Sequence, residues 1–127
     1  MSRAQIVRNY LKAIEQRRDV SAFYAPEMVQ EEFPNLLSPA GARREIAELK
    51  AAATRGRHVM KSETYEIVSL VEANDIVAVE IVWRGVLGVA LRTLEPGDEM
   101  RARFAAFFEF EGDRIRRLRN YDCFEPF

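Results

Sequence analysis

At 127 residues, 48% apolar and 31% charged, the chain has the size and make-up of one globular domain rather than of a disordered segment. Nineteen Lys and Arg against 20 Asp and Glu leave a formal charge of −1, which excludes the concentrated positive surface that nucleic acid or an anionic membrane requires. One Cys and one His exclude an internal disulfide and a zinc or iron site built from those ligands, and a reducing cytoplasm is the expected location.

The N-terminal "MSRAQIVRNYLKAIEQ" has no uninterrupted apolar run of signal-peptide kind, and no stretch approaches the length of a membrane span. Ser2 and Gln5 have capping-box spacing, and Ile6, Tyr10, Leu11 and Ile14 follow at helical period, predicting a helix over roughly 2–17. Asp19 is placed to cap a short second helix carrying Val20, Phe23 and Tyr24. "MVQEEF" reads as a short strand stopped by Pro34. Ser38 followed by Pro39 predicts the start of a third helix, with Ile46, Leu49 and Ala53 as its buried stripe and Gly56 as its left-handed cap.

Beyond Gly56 the texture changes to β-branched and aromatic runs: "YEIVSLVE", "IVAVEIVWRGVL", "EMRARFAAFFEFE" and "RIRRLRNYDCF". Asn74-Asp75 and Gly112-Asp113 are short turn signals, so these runs should pair as antiparallel hairpins. Helices first and long strands afterwards is the α+β pattern, in a single domain spanning 1–127. In the second run Val77, Val79, Ile81 and Trp83 face one way, while Ile76, Ala78 and Val82 face the other. A sheet with one wet face would alternate more cleanly. A homodimer that covers the second face, with Ile81 and the aromatics around Phe107 contributing, is therefore expected.

"EEFPN" at 31–35, "W-x-G" at 83–85 and the terminal "EGDRIRRLRNYD" at 111–122, in this order of helices and strands, resemble the nuclear transport factor 2-like superfamily. Within it the chain is most similar to the SnoaL-like branch, which includes relatives of ketosteroid isomerase. The resemblance implies a cone of curved antiparallel sheet, a cystatin-like α+β barrel closed by three N-terminal helices around an apolar pocket and commonly dimerised through the sheet. It implies no cofactor and a small apolar ligand. The scaffold hosts both enzymes and pure binding proteins, so activity must be argued from the pocket.

Matched on Ile115, the acid–base aspartate of the SnoaL-like cyclases falls on Asn120, an amide that takes up no proton at neutral pH. Leu118, Asn120 and Asp122 share a strand face, leaving Asp122 as a displaced base or, the favoured reading, a structural acceptor at the rim. In ketosteroid isomerase the base precedes a Pro, where this chain has Phe33. Glu31 and Glu32 lie next to it, and alternation lets only one of them face the cavity. An inward carboxylate either has its pKa raised for base catalysis or is neutralised by an arginine.

Tyr24 and Asn120 are candidates to orient a ligand oxygen, and Trp83, Phe104, Phe107 and Phe108 to wall an apolar site or simply to form core. His58 reads as a surface residue, Cys123 as a small buried hydrophobe, and Arg114, Arg116, Arg117 and Arg119 as cross-strand partners of Glu109 and Glu111. Two functions stay open on the residues alone: a cofactor-free isomerase, cyclase or hydrolase, and a binding module without chemistry.

Overall fold

In the computed structural model, which describes residues 1–127, helix α1 (Arg3–Glu15) begins where expected. The Ser2 hydroxyl accepts from the Gln5 N–H at 3.0 Å, but the Gln5 side chain turns to Asn9, so only half of the capping box forms. Ile6, Val7, Tyr10, Leu11 and Ala13 make its buried stripe. The second helix shrinks to a single 3₁₀ turn, Ser21–Phe23, held by Asp19, which accepts from both the N–H and the hydroxyl of Ser21. It stops there because Tyr24 already pairs with Ile115 in the sheet.

Strand β1 (Tyr24–Glu32) is followed by a loop and then by a short strand, β2 (Ala42–Glu45), where the sequence predicted a helix. Residues 42–45 zip antiparallel onto β1, and an edge pairing of that kind outweighs local helix preference. Helix α2 (Ile46–Val59) starts only afterwards, in a reciprocal capping box between Glu45 and Glu48. Gly56 does not end it. The helix runs on to Val59 and directly into β3 (Met60–Ala73).

The remaining strands, β4 (Ile76–Leu87), β5 (Glu99–Glu111) and β6 (Arg114–Phe124), follow the predicted runs, with Asn74 and Gly112 at positive φ in the tight turns. The six strands form one curved, unclosed sheet in the order β2-β1-β6-β5-β4-β3. Every pairing is antiparallel except β1 with β6, which is parallel, so the sheet is mixed rather than purely antiparallel. Two helices and one 3₁₀ turn, not three helices, cover its inner face.

The core lies on that inner face, where Val77, Ile81, Phe108 and Ile115 are at most 2% exposed. Burying each such side chain contributes about 1.5–3 kcal/mol, and a one-residue slip would turn the whole set outward, so register is strongly specified. Ile81 belongs to this inner set. It cannot contribute to an interface on the outer face, as had been expected.

Trp83 lies over Gly85, where an added Cβ would stand 2.6 Å from the indole ring and 2.9 Å from the Met60 sulfur. At Gly56 the same position is open space and φ is not left-handed. Gly56→Ala should therefore stabilise the fold by about 0.5–1 kcal/mol through helix propensity alone. Gly85→Ala should destabilise it by about 1–3 kcal/mol, the range for overpacking a core. Urea unfolding of both variants checks the signs; a neutral Gly85→Ala would contradict the packing of Trp83.

Candidate functional site

Beneath the helices the inner face opens into a cavity of about 460 Å³, with 15 apolar residues among the 22 that line it. Tyr10, Leu11 and Ile14 reach it from α1, and Val59 from the end of α2. Ile81, Trp83, Phe104 and Phe108 form its sheet wall. A larger open groove of about 630 Å³ runs outside the sheet past Glu31, Arg43 and Arg117, but only two of its nine lining residues are apolar. It offers a small organic ligand little to displace water from. The inner cavity does.

Two polar clusters interrupt the apolar wall. In the first, the Arg44 guanidinium donates to Glu32 at 2.8 Å and to the Gln30 carbonyl at 3.0 Å. The Gln30 amide then donates to Asn120 at 3.0 Å, and the Asn120 amide donates to both oxygens of Asp122 at 3.2 Å. The chain of amides thus runs from a cation to a carboxylate. Register explains why it forms: Arg44 lies opposite Gln30 across β1–β2, and Glu32 beside Asn120 across β1–β6. Asn35, in the loop after β1, also donates to Glu32 and caps its own turn by accepting from the Leu37 and Ser38 N–H groups.

Asp122 has no cationic partner within ion-pair distance, and Asn120 is its one side-chain donor. Burial raises its carboxyl from 3.8 to about 6, and the charge of Glu32 adds to the rise, against the Asn120 hydrogen bond and Arg44. The structural role favoured from sequence is not what the strand provides, because the sole donor comes from two residues back on the same strand. Asp122 ties β6 to nothing.

The second cluster stands on β3. Glu63 accepts from the Trp83 indole N–H at 3.0 Å and from the Tyr65 hydroxyl at 3.3 Å. The Tyr65 hydroxyl is pushed well above its ordinary pKa, first by burial, then by Glu63 and, more weakly, by Asp122. The two clusters therefore face the same space. No group of three or more His, Cys, Asp or Glu side chains is arranged to hold a metal ion.

Glu32, Trp83, Phe104, Asn120 and Asp122 all line this cavity, as does Phe108. Glu31 does not: it alternates outward and pairs with Arg117 on the exposed side of the sheet. Tyr24 is buried behind the cavity with its hydroxyl 2.7 Å from that of Tyr10, which leaves it engaged with a protein partner and not facing a ligand. Phe107 points outward, where the Arg119 guanidinium lies over its ring. His58 is exposed, and so is Cys123, which alternation sends to the outer face. Arg116 and Arg119 pair with Glu109, as cross-strand reading suggested.

Sequence reasoning missed Arg44, Glu63 and Tyr65. Glu63 and Tyr65 share a strand parity with Ile67, a visible signal in "SETYEI". Arg44 had none, because its segment read as helix.

The sequence pattern of the SnoaL-like domain matches residues 7–118. The chain belongs to that family. No protein of curated function matches this SnoaL-like chain. Among solved structures it is similar to IdmH of Streptomyces antibioticus, a candidate polyketide cyclase, with TM-score 0.81 and 16% identity over 96% of this chain and 92% of that one. An NTF2-like protein of unknown function from Burkholderia pseudomallei has TM-score 0.76 and 20% identity over 98% and 92%. A SnoaL-like polyketide cyclase from Agrobacterium tumefaciens has TM-score 0.71 and 14% identity over 96% and 91%. These likenesses establish the NTF2-like cone fold. No helix is long and apolar enough to cross a membrane.

Because the folded state raises the Asp122 pKa, it holds a proton that the unfolded chain releases near pH 3.8. Stability from this group is full below that pH and is lost as pH rises towards about 6. Asp122→Asn removes the buried charge and should melt above the parent at pH 7.5, by an amount on the order of 2 kcal/mol, with the gain vanishing near pH 4. Scanning calorimetry at both pH values decides. A variant that melts lower at pH 7.5 would show that the carboxylate is a structural acceptor after all.

Proposed function

We propose that this SnoaL-like domain binds a small, largely apolar metabolite in the cone and that Asp122 acts on it as the general base in a cofactor-free proton transfer. One observation carries the reading: a carboxylate without an ion pair sits in an apolar cavity with its pKa raised to about 6. A base tuned to that range is ionised at neutral pH yet basic enough to accept a proton from a bound substrate. Asn120, held by Gln30, keeps the carboxylate oriented. Glu32 is the poorer candidate, since Arg44 neutralises it. Binding without chemistry is the second reading. It is favoured by Asn120 standing where the resemblance places an acid–base aspartate, with location in the cytoplasm assumed in either case.

Carbon acids test the base directly. Apolar ketones and nitroalkanes, some bearing amino groups, are incubated with the protein in D₂O and followed by NMR. The wild type should exchange at least one of them ~100-fold faster than Asp122→Asn, the low end for general-base catalysis. Equal rates across the panel would leave only the binding reading.

The outer sheet face supports a homodimer. Phe33 stacks on Tyr121 at 4.4 Å, Phe107 meets Tyr121 edge-on at 6.0 Å, and Val71, two strands from Phe107 across Ala78, is 60% exposed. Glu31–Arg117 and Glu80–Arg103 flank this apolar strip, so a two-fold copy meets both signs of charge. Light scattering at micromolar concentration should report twice 14.6 kDa, and Tyr121→Glu should return the monomer. A wild type of single mass would remove the dimer.

A further inference from the structure

The cavity's charges are lopsided. Glu32, Glu63 and Asp122 line it, against Arg55 alone. Arg44 neutralises Glu32, which leaves Glu63 and Asp122 facing the cavity with no Lys or Arg at ion-pair distance from either. Glu63 is held instead by two neutral donors, the Trp83 indole and the Tyr65 hydroxyl, and Asp122 by one amide. Both carboxylates are thus held by neutral donors without an ion pair, and only Arg44, itself paired with Glu32, bears weakly on Asp122.

The surface between them is aromatic. Tyr65, whose hydroxyl feels both acids, lies 6.3 Å from Phe104, and Phe104 and Phe124 meet edge-on at 5.7 Å. All three rings line the cavity and are half-buried, with Trp83 stacked behind Phe104 at 5.4 Å. Aromatic faces attract cations, and the attraction grows where water is excluded. A neutral apolar ligand would use the rings but leave two carboxylates desolvated without compensation. An anion would face repulsion from both. A cation gains from the rings and from both acids together. Arg55 opposes this, but it is exposed, and solvent screens it more than the acids inside.

We infer that the cone takes a protonated amine or quaternary ammonium carried on an apolar body, with the cationic head between Glu63 and Asp122 and the body against Phe104 and Phe108. This rests on the reading that the cone binds a ligand, not on the chemistry assigned to Asp122. It makes Glu63 the residue that selects the ligand by charge, a role with no part in proton transfer.

Trp83 is the chain's only tryptophan and lines the cavity, so its fluorescence reports occupancy directly. Three probes of similar shape separate the possibilities: benzyltrimethylammonium, its neutral isostere 2,2-dimethylpropylbenzene, and phenylacetate. At pH 7.5 the cation should bind at least 10-fold more tightly than the neutral isostere, and phenylacetate least of all. Glu63→Gln, which can keep the hydrogen bond from Trp83, should bring the cation to within about threefold of the isostere. If the isostere binds as well as the cation, the charge selection is wrong and the apolar binding reading stands. If none of the three changes Trp83 emission up to millimolar concentration, both readings fall. Should Glu63→Gln not fold, the wild-type comparison of cation with isostere still decides.

Discussion

The inner face of the sheet is wider than its two helices can cover, and the site follows from that mismatch. Helix α1 presses five buried side chains onto the strands. Helix α2 buries none completely, and only Ile46 and Leu49 of its intended stripe pack, in part, against the core. It stands over the sheet rather than in it. Apolar surface that would otherwise close into core is left facing a space of about 460 Å³. An opening of this size, lined mainly by apolar side chains, falls in the range of small-molecule pockets.

The same mismatch sets the electrostatics. The cavity wall is mostly apolar and carries a single ion pair, so the acids on it behave according to their partners. Glu32 lies within reach of a strand that carries Arg44, and the pair satisfies itself. Asp122 lies two positions beyond Asn120, the last residue of β6 that pairs with β1, where no arginine follows, and burial then dominates its titration. Two carboxylates on neighbouring strands are thereby given different characters by a few ångströms of register. Differences of this kind distinguish a structural acid from a reactive one.

The outer face obeys a different logic. There the arginines and glutamates of β1, β4, β5 and β6 pair across strands, and the aromatic strip of Phe33, Tyr121 and Phe107 lies among them. Exposed ion pairs add little stability, about 0–1 kcal/mol each, but they discourage unspecific stacking of the apolar strip. The sheet therefore carries an apolar face that lines the cavity and a charged face with an aromatic strip, and alternation along each strand keeps them separate.

Local pattern was enough to read the α+β class, the four long strands, their two tight turns and the division of β4 into two faces, though not which face was inward, because side-chain period and turn chemistry are local properties. Alternation also placed Glu32 with Gln30 and Met28, and Asn120 with Asp122, on shared faces. What lay beyond it was decided by pairing between distant segments. Residues 42–45 became a strand because β1 offered an edge, which moved the start of α2 and brought Arg44 to Glu32. Whether Asp122 would be tied down or left alone depended on which donors the neighbouring strands presented, and they presented none, leaving only Asn120 of its own strand. Glu63 gained its partners through Tyr65 on its own strand and Trp83 on the next, whose ring turns over Gly85. Alternation assigns a side chain to a face. What it meets there is set by the register of strands far apart in the chain, which only the folded sheet determines.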